Sequence, residues 1–128
     1  MSSAAIDEML RPPTDAEVDH ALLRFAADVR SHYGYRLEGL YLFGSRARGD
    51  HTPESDADVA VVLRDGDWEE WIERRVLNGF AYEAGFDSGA VIQPWPFSDT
   101  QWIAGATMPA TKLLGSARRD AVRVEERP

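Results

Sequence analysis

The 128-residue chain has no cysteine, which excludes disulfides, thiolate zinc sites and a cysteine nucleophile. It is also short of positive charge: 14 Lys and Arg stand against 22 Asp and Glu, a formal charge of −8. Proteins that hold duplex nucleic acid by neutralising phosphates need a basic face, so that partner is not expected. The longest apolar runs, residues 59–63 and 40–43, are far too short to span a membrane. The first eight residues lack the basic start and apolar stretch of a signal peptide, and there is no internal repeat or low-complexity tract. What is present is ordinary: 44% hydrophobic and 28% charged residues argue against wholesale disorder. The length suits one compact domain with a single substantial core. A soluble, cytoplasmic domain without a membrane partner is expected.

The order of elements follows from caps and periodicity. Residues 1–13, ending in Arg11-Pro12-Pro13, read as a flexible leader, residues 14–124 as one domain and residues 125–128 as a tail. Thr14-Asp15-Ala16-Glu17 has the pattern of a capping box. Behind it Ala16, His20, Leu23, Ala27 and Arg30, with Leu22, Phe25, Ala26 and Val29 beside them, recur at helical spacing up to Tyr33 and Gly34. Residues 36–43 and 57–63 are dense in strand formers, the second nearly all Val, Ala and Leu, as expected of a strand covered on both faces. Asp67 is expected to open a second helix closed by Gly85, its apolar positions Trp68, Ile72, Val76, Phe80 and Ala84 set four apart. Residues 89–95 read as a strand stopped by Pro94 and Pro96, at a sheet edge because proline lacks a donor. A helical turn from Ser98 and a last helix from Pro109 to about Asp120 complete a small mixed α/β sandwich of order α-β-β-α-β-α.

The chemistry is concentrated between the first two strands. Gly44-Ser45 ends one strand, and ten residues later Asp56-Ala57-Asp58 opens the next. Glycine lets the backbone turn sharply and approach a ligand closely. If a short helix begins at Ser45, the free N–H groups of Ser45, Arg46 and Ala47 form a phosphate-binding end, to which the Ser45 hydroxyl and the Arg46 guanidinium add donors. Asp56 and Asp58, two apart in an extended chain, project from the same face. Such hard oxygen ligands suit Mg²⁺ or Mn²⁺, which would take further ligands from substrate phosphates. Together these features describe metal-assisted nucleotidyl transfer.

The string Phe43-Gly44-Ser45-Arg46-Ala47-Arg48-Gly49-Asp50, followed by Ser55-Asp56-Ala57-Asp58, resembles the minimal nucleotidyltransferase branch of the DNA polymerase β-like nucleotidyltransferase superfamily. The resemblance covers residues 15 to about 124 and extends to the tail, where residues 113–122 look like the family's closing helix and short strand. It implies transfer of a nucleoside monophosphate, AMP from ATP, to a hydroxyl. Gly44 and Ser45 would bind the triphosphate, and Asp56 and Asp58 the metal. It also implies a HEPN-type toxin protein as partner and acceptor. An antitoxin that acts by covering its partner, and transfer to a small molecule across a homodimer, are the alternatives.

The chain departs from the family at one place. The superfamily supplies a third carboxylate from a later strand, and none stands near Val91. Asp87 is the nearest substitute and is taken as the third catalytic carboxylate beside Asp56 and Asp58; Glu83 and Gln93 are poorer ones. Arg48 is open between a phosphate and a pairing with Asp50 or Glu54. His51 is expected to be solvated, and His20 and His32 structural or exposed. Trp68, Trp71, Trp95 and Trp102 read as packing, with a partner surface at Trp95 or Trp102 as the alternative. Arg118-Arg119 and Glu125-Glu126 decorate a solvated tail.

Overall fold

The computed structural model describes residues 11–104 and 111–124. Pro109, Glu125, Glu126 and leader residues 1–10 lie outside them. Helix α1 is Asp15–Tyr33, and its capping box is complete: the Thr14 hydroxyl accepts from the Glu17 N–H at 3.1 Å, while Glu17 Oε1 accepts from the Thr14 N–H at 3.0 Å. Gly34 closes it, and a 3₁₀ turn, Gly34–Arg36, leads into β1, Leu37–Phe43. A single helical turn, α2, Ser45–Arg48, precedes β2, Ala57–Leu63. Helix α3, Glu70–Gly85, then crosses to β3, Ile92–Ser98, which is followed by α4, Asp99–Ala104, α5, Lys112–Asp120, and the two-residue β4, Val122–Arg123.

The four strands form one mixed sheet in the order β3-β2-β1-β4. β1 runs antiparallel to β2 and β4, while the α3 crossover makes β3 parallel to β2. Because side chains alternate across a strand, the sheet separates two cores. On one face Leu40, Leu42, Val59, Val61, Leu63 and Ile92 pack with Leu22, Phe25 and Val29 of α1 and Leu77 of α3. On the other, Phe43, Ala60, Val62 and Phe97 pack with Trp102 of α4 and Leu114 and Ala117 of α5. β2 is buried on both faces, which explains its unbroken apolar run.

Three local expectations change. Helix α3 begins at Glu70 rather than at Asp67, and no side chain caps it. Its buried residues are Glu73, Leu77, Ala81, Ala84 and Gly85, not the stripe through Ile72 and Val76. The buried stripe keeps the four-residue step but is set one position later, about 100° around the axis. Helix α1 buries Val18, Ala21, Leu22, Phe25, Ala26 and Val29, while Leu23 is 56% exposed. Strand β3 starts later than expected and runs through both prolines. It is an edge strand, so the missing N–H groups of Pro94 and Pro96 need no partner on the open side. The last helix starts at Lys112, capped by the Thr111 hydroxyl, which accepts from the Leu114 N–H at 3.0 Å.

Of the expected leader, residues 11–13 are anchored rather than free. Arg11 pairs with Glu17 at 2.8 Å, and Arg11, Pro12 and Pro13 line a hollow with Glu54, Ser55 and Val91.

Candidate active site

Gly44 ends β1 with φ 77° and ψ −158°, a conformation essentially confined to glycine. A methyl group there would also stand 2.8 Å from Asp58 Oδ2. The backbone of the turn therefore lies directly against the carboxylate that opens β2. Phe43 and Asp58 are cross-strand partners, which is how the antiparallel β1–β2 pair brings Gly44 to Asp58. In α2 the N–H groups of Ala47 and Arg48 both return to the Gly44 carbonyl at 3.1 Å. The anion-binding end thus reduces to the Ser45 and Arg46 amides, which a helical turn cannot satisfy internally. Ala47, expected to join them, is bonded instead.

Asp58 shares its sheet face with Ala60 and Val62, and by the same alternation Asp56 lies toward that face too. Partial burial holds the Asp58 carboxyl above the usual carboxylate range; the negative charge of Asp56 adds to this, and a hydrogen bond from Trp95 opposes it. That bond runs from Trp95 Nε1–H to Asp58 Oδ1 at 3.4 Å. The two oxygens of Asp58 therefore have different surroundings, Oδ2 over Gly44 and Oδ1 toward Trp95 on β3.

Arg46, expected to reach a phosphate, has another job. Its side chain is 4% exposed and aims at the loop of residues 49–56. Nε donates to the Ser55 carbonyl at 2.8 Å, Nη2 to the carbonyls of Thr52 and Pro53 at 3.4 and 3.3 Å, and Nη1 to Asp15 Oδ1 at 3.2 Å. The guanidinium therefore braces the loop that delivers Asp56, and its fork is turned away from the cradle. His51 is not simply solvated: Nε2 meets Asp15 Oδ1 at 3.0 Å. Asp15, held below the ordinary carboxylate range by His51 first and Arg46 second, thus ties this loop to the start of α1. Arg48 pairs with Asp50 at 3.1 Å, one of the two expected partners, and also with Asp120 of α5 at 2.8 Å.

Asp87 does not stand beside the aspartates. It lies exposed in the turn before β3, lining a hollow with Glu17, His20 and Arg24 of α1. Parallel pairing sets Gln93 next to Asp58 and Ile92 next to Ala57, and alternation puts Gln93 on the Asp58 face with Trp95. The strand position nearest the aspartates therefore carries an amide. Glu83, on α3, is ion-paired with Arg24 at 4.0 Å.

Trp102 is buried, stacked on Tyr41 with ring centroids 4.9 Å apart, and Trp68 is partly buried. Trp71, read from the sequence as packing, is 58% exposed. His20 and His32 are exposed, as expected. An apolar hollow between α3 and β3, lined by Ala81, Tyr82, Phe86 and Val91, has no carboxylate or base in its wall. Among the described residues no group of three or more His, Cys, Asp or Glu could hold a metal ion, and no helix is long and apolar enough to cross a membrane.

The glycine turn that ends β1 stands close to Asp58 at the start of β2. The sequence profile of the nucleotidyltransferase domain matches residues 22–89, more than half of the chain and all of this turn, loop and strand. The chain belongs to the nucleotidyltransferase domain family. This nucleotidyltransferase domain is 43% identical over 44 residues to "Putative protein adenylyltransferase MJ0604" of Methanocaldococcus jannaschii, a match covering 34% of the chain and 44% of that relative. It is 35% identical over 49 residues to "Putative protein adenylyltransferase MJ0141" of the same organism, covering 38% of the chain and 50% of that relative. These matches therefore span half or less of the relatives' own lengths. Among solved structures, "a putative nucleotidyltransferase from Sulfolobus solfataricus" superposes with a TM-score of 0.55 at 17% identity, covering 96% of this chain and 87% of that one. The Elizabethkingia meningoseptica CdnE cyclic dinucleotide synthase, solved with GTP and Apcpp, gives a TM-score of 0.51 at 16% identity over 77% of this chain and 44% of that one. Both share the fold.

Proposed function

We propose that this nucleotidyltransferase domain transfers AMP from ATP to a hydroxyl group on a protein partner. The observation that carries the reading is that a Cβ at Gly44 would stand 2.8 Å from Asp58 Oδ2, which sets the glycine turn close beside a carboxylate. The names of the Methanocaldococcus relatives support AMP as the transferred group and a protein as acceptor. The sequence resemblance adds a HEPN-type toxin as the kind of protein.

The residues present fit a divalent ion by their chemistry. Asp56 and Asp58 are hard oxygen donors on one face, and a Cβ at Gly44 would fill the cradle next to them. Held by Asp56 and Asp58, Mg²⁺ or Mn²⁺ would screen the triphosphate and polarise the α-phosphoryl group. The Ser45 and Arg46 amides and the Ser45 hydroxyl bind the phosphate oxygens, and the Arg46 brace keeps the Asp56 loop in place. The acceptor oxygen forms its bond to the α-phosphorus as the bridge to the β-phosphate breaks. Pyrophosphate leaves with the bonding electrons, and the acceptor's proton passes to a base outside the two aspartates.

The test is label transfer from α-labelled ATP to a co-expressed partner. Transfer should disappear in the Asp56→Asn, Asp58→Asn double variant, and equal labelling by that variant overturns the mechanism. A second reading, a protein that neutralises its partner by covering it, is favoured by Gln93 standing where a third carboxylate would complete the site. It predicts full neutralisation by the same double variant, with no transfer from any nucleoside triphosphate.

A further inference from the structure

We infer that the β3 side of Asp58 is closed to a cation, so that this site takes one divalent ion per bound nucleotide rather than a pair. The inference rests on the nucleotide site proposed above and concerns how that site is filled. A two-metal arrangement needs acceptor oxygens on both flanks of a shared carboxylate, with the ions about 3.5–4 Å apart. On the β1 flank, Asp58 Oδ2 lies over Gly44, beside the turn that would seat the triphosphate. On the β3 flank the neighbours are of the wrong kind. Gln93 is the register partner of Asp58 and brings on the same face a neutral amide, whose oxygen is a weaker cation ligand than a carboxylate. Trp95, two residues on, directs its indole N–H at Oδ1 from 3.4 Å. An indole nitrogen only donates, so the space before Oδ1 is edged by a positive dipole. Trp95 is itself held in place by the Arg74 guanidinium, 5.2 Å from its ring centroid, and Arg74 in turn pairs with Glu70 at 2.6 Å. Asp87 cannot substitute from its place against α1.

The consequence for chemistry is specific. The single ion is the one carried between the aspartates and the phosphates. The acceptor hydroxyl then meets neither a second cation nor a β3 carboxylate, and its proton leaves to a base that the acceptor molecule or solvent provides.

Equilibrium dialysis of the full chain with MnCl₂ and the α,β-methylene analogue of ATP tests this by counting ions per bound nucleotide. One Mn²⁺ per bound analogue is expected for the parent, with an electron paramagnetic resonance spectrum of isolated ions. Two, or a spin-coupled pair, overturns the inference while leaving the nucleotide site intact. No bound analogue removes the nucleotide site itself, and with it this inference. The Gln93→Asp, Trp95→Phe double variant should raise the count from one to two. If that variant is folded by circular dichroism and still binds one, Gln93 and Trp95 are not what closes the flank. Gln93→Glu with Trp95→Phe is the second variant should the first not fold, and it should give the same increase.

Discussion

Replacing Arg46 by lysine separates the two parts this residue could play. As a phosphate ligand, it would lose little stability on becoming lysine but would lose the planar fork that holds a phosphate bidentately, and ATP binding would fall. As a brace, it would lose its fork. The strongest bond, Nε to the Ser55 carbonyl at 2.8 Å, is a charged donor on a partly buried acceptor, a class contributing about 1.5–3 kcal/mol. The bonds to the carbonyls of Thr52 and Pro53, at 3.4 and 3.3 Å on exposed residues, add together about 1 kcal/mol, since water can replace them. The pair with Asp15, whose side chain is 73% exposed, counts as a surface ion pair of under about 1 kcal/mol. A lysine ammonium keeps one of these contacts, so the expected loss is about 2–3 kcal/mol, or a Tm lower by about 10 °C for a domain of this size. Urea and thermal unfolding followed by circular dichroism measure it, with ATP binding measured below the transition. Should Arg46→Lys melt within about 2 °C of the parent yet lose ATP affinity more than tenfold, the guanidinium acts on a phosphate and the brace is wrong.

Other outcomes follow from the same geometry. Gly44→Ala forces a side chain into a conformation costing about 1–3 kcal/mol and displaces Asp58 Oδ2, so both the urea midpoint and Mg²⁺-dependent ATP binding should fall; unchanged calorimetric titration would contradict the close contact. Asp58 has a raised carboxyl pKa in the folded state, so its ionisation weakens folding as pH rises through that value; Asp58→Asn should melt higher than the ligand-free parent at neutral pH and gain nothing from Mg²⁺ and ATP. A lower Tm for the variant without ligand would oppose this. Glu17, lowered to about 2 by Arg11 first and the Thr14 backbone second, behaves with the opposite sign. Its stabilisation is complete above the unfolded value and is lost as pH falls through the folded one, so the acid limb of a stability profile between about pH 4.5 and 2 should flatten in Glu17→Gln. Tyr33→Phe removes the bond its hydroxyl donates to the buried Glu73 carboxylate at 2.8 Å, for an expected loss of about 1–3 kcal/mol by urea denaturation.

Features of short range were legible in the chain. Thr14 and Glu17 cap α1 because both halves of the box lie within one turn. The two-sided burial of β2 shows in its unbroken Val and Ala run, and the edge position of β3 shows in Pro94 and Pro96. The nearness of Gly44 to Asp58 was legible as well, since Gly44-Ser45 and Asp56-Ala57-Asp58 are joined by one antiparallel pair with a short connection. Helix faces were less so, because a four-residue repeat does not show which side meets the sheet until the partner elements are placed.

Everything that depends on elements far apart in the chain was decided by the tertiary structure. The direction of Arg46 is one case: its neighbours in sequence suggest a phosphate, but Asp15, 31 positions earlier, and the carbonyls of its own loop take its donors. Which residue of β3 stands beside Asp58 is another. A parallel partner arrives after a long crossover helix, and a shift of one residue would exchange Gln93 for a residue of the opposite face, so the register could not be counted from either strand alone. Local bonding along the backbone therefore set the pieces of the site and the sharp turn at Gly44. The packing of α1, the 49–56 loop and β3 around that turn set which of those pieces stand together beside it.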